Sequence, residues 1–352
     1  MNDKGGTPLT CDMSSDMASI CSQDEPVRLT PSMIPDACNF DGKDSSFFNK
    51  WRELPSPEEV RRKTEEQWIA GTCLDKRKNL TSAGRYMRPP LAVFEHIGLV
   101  VKWGVLVNIH EAQSTYAVYH LLNGRVPVPE VFGWRTDGDE KFIYMQYVQG
   151  QTLEEAWDSL QPTDRGIIVR NLRIICDNLR QLEQDPSDKF IGLRRPNTFR
   201  ASMICISDFL LGNAMRTSIY DRVFTSHTDE AGPFTTVHEF HDWFTFLCRK
   251  PMRDPHSVPI EPFRYDLPDD SAIKFTQGDL HRSNIIISFS KPYRVLAIVD
   301  WEQSGWLPEY WEARKMEWTV NDKEWEKYPP LILDQYKSTV EAWWWYTASL
   351  GC

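Results

Sequence analysis

Two short apolar runs that each end on an aspartate constrain this chain more than any other feature. The first is FTQGDLHRSNIII over 275–287, which carries Asp279 and Asn284; the second is VLAIVDWE over 295–302, which carries Asp300. Runs of this length and β-branched content predict buried strands, and each delivers a carboxylate at a sheet edge. A fold that brings two strand ends together therefore gathers Asp279, Asn284 and Asp300. With 352 residues and 41% hydrophobic side chains, the chain can bury one large core or two unequal lobes of one unit.

The rest of the sequence supplies the frame. Residues 1–45 are rich in Ser, Asp, Pro and Gly, carry eight acidic against three basic side chains, and are expected to form a disordered tail. Residues 46–79 are expected to be a helical segment, in which Ser56 caps, Pro57 takes the first helical position and Glu59 completes a capping box. Over 91–103 the β-rich run LAVFEHIGLVVKW predicts two short strands with Gly98 at the turn, and Lys102 near the end of the second. Asn108 then caps a helix running to Leu122. The run over 141–148 is a further strand, Thr152 and Glu155 cap another helix, and 163–184 has the pattern of a long amphipathic one. A helix is also expected near 236–248, and no internal repeat is found.

Composition excludes several function classes. Lys and Arg number 40 against 50 Asp and Glu, a formal charge of -10, and no basic run marks a nucleic-acid footprint. No apolar run approaches the length needed to span a bilayer. The eight cysteines form no C-x-x-C pair and the N-terminus has no signal-peptide pattern, so a reducing, cytoplasmic setting is expected.

The interval from Asp279 to Asn284 is five, which equals that between Asp and Asn in the H-R-D-x-x-x-x-N loop of protein kinases, and a second aspartate closes the next β-run. The spacing has a chemical reason. Phosphoryl transfer needs positioned reactants and neutralised phosphate charge. Mg²⁺ takes oxygen ligands, which a carboxylate (Asp300) and an amide oxygen (Asn284) supply. Asp279 can accept the proton of an attacking hydroxyl. Lys102 can sit on the phosphates, with Glu111 as its partner, although an Asn108-x-x-Glu111 capping box accounts for Glu111 equally well.

On these motifs, GDLHxxN, IVDWE and the upstream VVKWG, the chain resembles the aminoglycoside phosphotransferase family, and is most similar to its large fungal branch. The resemblance runs from about residue 50 to the C-terminus and includes VPVPEVFG (126–133), YMQYVQGQTL (144–153), EFHDW (239–243) and SGWLPEYW (304–311). It implies an α+β, protein-kinase-like bilobal fold, with a small β-rich N-lobe over 80–149 and a larger, mainly helical C-lobe over 150–352. It also implies an ATP- and Mg²⁺-dependent phosphotransferase acting on a hydroxyl of a small-molecule acceptor. Asp279 would be the catalytic base, Asn284 and Asp300 the metal ligands, Lys102 the phosphate clamp with Glu111 as its partner, and the main chain of Gln146, Tyr147 and Val148 the adenine hinge. The sequence departs from the family in having Gln277 where His is frequent, and in lacking a Gly-rich loop before Lys102, where Ser82-Ala83-Gly84-Arg85 is at best a remnant. The rival reading is a non-catalytic, kinase-like nucleotide or metabolite binder, against which stands the retention of Asp279, Asn284 and Asp300. The short stretch from Asp300 to Trp306 leaves no room for the activation segment of a protein kinase.

Two other patterns have structural readings. His238 and His241 are three apart rather than the four that a zinc-protease helix requires. Trp301, Trp306, Tyr310 and Trp311 could wall an acceptor site, but aromatics at this density are expected in core.

Overall fold

The computed structural model describes residues 26–74, 87–186, 189, 191, 219–318 and 322–351. The fold is α+β, in two lobes: a small antiparallel sheet and a larger, mainly helical part. The chain enters with β1 (Val27–Arg28), which joins the larger lobe; the smaller lobe then holds β2 (Phe40–Asp41), α1 (Pro57–Ile69), β3 (Ala92–Phe94), β4 (Leu99–Gly104), α2 (Ile109–Leu122), β5 (Val131–Asp137) and β6 (Glu140–Gln146). Five of the strands form an antiparallel sheet in the order β2-β5-β6-β4-β3. Gly98 takes a left-handed conformation at the turn into β4, as a positive φ there requires.

The larger lobe begins with β7 (Gln151–Thr152), α3 (Leu153–Ala156) and α4 (Pro162–Leu179), followed by β8 (Leu182–Glu183) and α5 (Val237–Phe246). It continues through β9 (Ile273–Thr276), β10 (Ile285–Ile287), β11 (Val295–Ile298), β12 (Gly305–Pro308), α6 (Trp311–Trp318), α7 (Pro329–Ile332) and α8 (Thr339–Ser349). Helix α4 ends sooner than its pattern suggested, because the chain turns after Leu179 into β8. Two small antiparallel arrays, β11-β10-β7 and β12-β9, carry the two aspartate loops. Ile285 pairs with Ile298, and Asn284 O accepts from Val299 N at 2.9 Å, so the residues before β10 and after β11 are neighbours.

Helix α1 forms as its sequence dictates: Glu59 N donates to Ser56 Oγ and Ser56 N to Glu59 Oε2. It is fixed to the small lobe by Arg61, which bonds Asp137 and Glu140 at 2.6 Å, and by Trp103 Nε1, which donates to Thr64 at 2.9 Å. The aromatics Trp301, Trp306, Tyr310 and Trp311 are all buried in core, as their density suggested. His238 and His241 both bond Asp269, and His241 also bonds the Tyr310 hydroxyl, which accounts for them without a metal.

The expected tail needs correction over 26–45. Strand β1 pairs in parallel with β8, β2 closes one edge of the five-stranded sheet, and Leu29 and Ile34 are buried in the large-lobe core beside Leu122 and Leu182. Phe40 packs on Trp134, whose Nε1 donates to Ala37 O at 2.7 Å. The low mean apolar content of the first 45 residues concealed single apolar side chains spaced to fit separate grooves. Residues 1–25 lie outside the described residues.

Leu29→Ala should therefore cost about 2–4 kcal/mol, in the range of buried Leu truncations. Urea unfolding measures this, and a loss under ~0.5 kcal/mol would show the segment to be dispensable.

Candidate active site between the lobes

Strand β4 carries Lys102 to the cleft and α2 presents Glu111 opposite it. Lys102 Nζ lies 2.5 Å from Glu111 Oε2, 2.7 Å from Asp300 Oδ1 and 3.7 Å from Glu302 Oε2. The capping alternative for Glu111 is thereby decided: Asn108 caps α2 through His110 N, while the Glu111 side chain is turned to the lysine. Burial opposes the Lys102 charge, but Asp300, Glu111 and Glu302 outweigh it and raise its pKa. Burial likewise pushes the Asp300 carboxyl up, and Lys102 overrides it, leaving Asp300 below its ordinary value. Glu111 keeps the mark of burial, its pKa pushed up to about 7 against the opposing pull of Lys102.

The loop after β9 carries the base candidate. Gly278 has φ +78°, and a Cβ there would stand 2.3 Å from Gln303 O, so only glycine fits. Glu312, buried on α6, accepts from Gln277 N at 2.6 Å and Gly278 N at 3.2 Å. Gln277 is the link between the two aspartate loops. Its Nε2 donates to Val299 O and Asp300 O at 3.1 and 2.8 Å, and its Oε1 accepts from Asp279 N at 2.7 Å. Asn284 Nδ2 donates to Asp279 O and Oδ2 at 2.9 and 3.2 Å, and Asn284 Oδ1 accepts from Ser283 Oγ at 3.3 Å. Burial raises the Asp279 pKa, with Arg222 and Lys315 opposing. His281 bonds Ser283 and holds the loop.

Lys102, Glu111, Asp279, Asn284 and Asp300 thus converge on one cleft. Gln146 and Tyr147 end β6 at the lobe connection, but Gln146 N donates to Glu130 O and Tyr147 N to Gly98 O, both at 2.8 Å. These two amides are engaged within the small lobe, which narrows the expected hinge to other main-chain groups of Gln146, Tyr147 and Val148. Ser82–Arg85 lie outside the described residues.

Three residues of the cleft escaped the sequence reading. Glu302, two after Asp300, joins Glu111 and Asp300 in a group whose carboxylate oxygens lie within 4.8 Å of one another. Arg88 Nη2 bonds Glu302 Oε2 at 2.6 Å, and Arg222 Nη2 stands 3.8 Å from Asp279 Oδ2. For Glu302 a signal existed in the IVDWE motif; for the arginines only the folded chain supplies it.

No model of a known protein family matches the sequence, and no curated protein matches it. Several solved structures do. A thermostable mutant of aminoglycoside phosphotransferase APH(4)-Ia, in ternary complex with AMP-PNP and hygromycin B, is 13% identical, covers 71% of this chain and 76% of its own, and has a TM-score of 0.42. An aminoglycoside-3'-phosphotransferase of type VIII is 11% identical over 82% of this chain and 98% of its own, with a TM-score of 0.44. Aminoglycoside phosphotransferase APH(3'')-Id from Streptomyces rimosus, in complex with ADP and streptomycin, is 13% identical over 82% and 99%, with a TM-score of 0.41.

The raised Glu111 pKa gives a pH test. A carboxyl whose folded pKa (about 7) exceeds its ordinary 4.5 binds its proton more tightly when folded. Its contribution is full below 4.5 and lost as pH rises towards 7. Wild type should therefore lose stability relative to Glu111→Gln as pH rises through that window. Parallel urea midpoints for the two proteins across it would contradict the assignment.

Proposed function

We propose that this chain is a phosphotransferase of the aminoglycoside phosphotransferase type, of the fungal branch of that family, moving the γ-phosphate of ATP to a hydroxyl of a small molecule. The observation that carries the reading is the joint geometry of five side chains: Lys102 paired with Glu111 and Asp300, and Asp279 bonded to Asn284 one loop away. Chemistry of the donor set supports Mg²⁺. Asp300 and the Oδ1 of Asn284 offer hard oxygens on adjacent strand ends, and would hold the ion. Bound there, it would supply neutralisation of phosphate charge.

The chain's own groups divide the remaining work. Lys102 is a buried cation on the small-lobe wall, suited to hold phosphate oxygens, and Glu111 keeps it aimed into the cleft. Asp279 is 5% exposed, its main chain fixed by Gln277 and Asn284, and it presents a carboxylate able to accept the hydroxyl proton. Its raised pKa makes it a better base than a solvated aspartate. Among the described residues no helix is long and apolar enough to cross a membrane.

Two aspartates with different jobs make the test. Asp300→Ala should abolish the Mg²⁺-dependent part of ATP's thermal stabilisation together with turnover. Asp279→Ala should keep that stabilisation and lose transfer by on the order of 10²–10⁴-fold. Loss of Mg²⁺-ATP stabilisation in both variants would refute this division of roles. Full activity in both would refute the phosphotransferase reading.

Lys102→Ala offers a separate check. It should weaken ATP far more than adenosine, because the ammonium meets phosphates rather than base or ribose. Equal losses of the two ligands in calorimetry would take Lys102 out of the phosphate site.

A further inference from the structure

Buried charge that phosphotransfer does not itself use stands behind the base. Lys315 Nζ and Asp221 Oδ1 are 2.6 Å apart, with side chains 1% and 0% exposed. Trp311 Nε1 and Val223 N also donate to Asp221, at 3.0 and 2.9 Å. Lys315 reaches Gln303 Oε1 at 2.9 Å, and that same oxygen accepts the main-chain N–H of Arg222 at 2.9 Å. A buried pair of this kind adds little net stability over well-packed apolar side chains. Its consequence here is positional, since it clamps the main chain on both sides of Arg222. Gln303, whose carbonyl abuts Gly278, ties that clamp to the base loop.

Arg222 itself points out of this network. Its side chain is 51% exposed, and Nη2 lies 3.8 Å from Asp279 Oδ2 and 3.7 Å from Glu302 Oε1, beyond hydrogen-bond reach. The other oxygen of Glu302 is taken by Arg88. Tyr220 borders the same space: burial raises its pKa, Glu302 adds to the rise, and Arg88 and Arg222 oppose it. A guanidinium held on a fixed backbone beside Asp279, in ion-pair range of two carboxylates but with no side-chain hydrogen bond among the described residues, keeps its planar fork available for a carboxylate or phosphate.

We infer that Arg222 recognises an anionic substituent, carboxylate or phosphate, on the acceptor close to the hydroxyl that receives the phosphoryl group. The inference rests on the phosphotransfer reading and narrows its substrate class. A polycationic acceptor would bring like charge to Arg222 at the base, which costs affinity.

The test uses matched acceptors: D-glycerate and glycerol 3-phosphate as anions, glyceramide and glycerol as neutral partners, streptomycin and hygromycin B as polycations. Wild type should prefer an anion over its neutral partner by on the order of tenfold or more in kcat/KM, the scale of one charge-assisted pair. Which of the two anions gains tells carboxylate from phosphate. Arg222→Gln should erase the preference and Arg222→Lys keep part of it, with Mg²⁺-ATP stabilisation unchanged in both. A preference for neutral or cationic acceptors, or one that persists in Arg222→Gln, overturns the inference. If no acceptor is phosphorylated, the phosphotransfer reading fails, and thermal shifts with the same anions still judge Arg222. A shift present in wild type and lost in Arg222→Gln upholds the anion site; equal shifts, or none, overturn it.

Discussion

The ammonium of Lys102 is the charge on which the cleft depends. Glu111, Asp300 and Glu302 bring three carboxylates within 4.8 Å of one another in a largely buried place. Without a cation such a group would stay partly protonated or push its members apart, because like charges at this range cannot all ionise in low dielectric. Lys102 reaches all three. Since β4 and α2 belong to one lobe and Asp300 and Glu302 to the other, the lysine also joins the lobes. Arg88 repeats the device on Glu302.

The large-lobe side is held differently, through the main chain. Glu312 receives two amides of the Asp279 loop, Gln277 receives a third and returns its own amide to two carbonyls of the Asp300 loop, and Gln303 closes against Gly278. The bonds to Gln277 N, Gly278 N and Asp279 N serve buried main-chain groups, where leaving a partner unmade costs about 1–3 kcal/mol. An amide at position 277 fits this picture. An amide can donate to two carbonyls with one nitrogen and accept from Asp279 N with its oxygen, so the loop geometry needs no ionisable group.

How much of this was legible in the sequence depended on range. The strands and helices that carry Lys102, Glu111, Asp279, Asn284 and Asp300 have local signals: capping residues, β-branched runs, and a five-residue interval. Partners that meet only through topology left none. Arg88 and Glu302 are 214 positions apart, and Lys315 and Asp221 are 94 apart. The segment over 26–45 failed for a related reason, since its core residues Leu29 and Ile34 are isolated in a polar stretch and are buried only among residues distant in sequence. The choice between cap and ion pair for Glu111 was likewise a tertiary question, decided by where β4 sets Lys102.

The two kinds of restraint imply a division in how the cleft can be tuned. Long side chains in ion pairs tolerate small shifts of one lobe against the other, whereas the hydrogen-bonded loops around Asp279 do not. Helix α2 stands between these regimes. His110 Nε2 bonds Ser304 O at 3.0 Å, and Ala117, Val118 and Leu122 are buried in the large-lobe core, while Ile109 and Ala112 are buried with Val131, Trp134 and Ile143 of the small-lobe sheet, so α2 packs against both. The contact that runs from the small-lobe sheet straight to the large lobe is Lys102 to Asp300, at 2.7 Å. Geometry around Asp279 is set by the buried network of one lobe, and geometry around Lys102 by the approach of the two.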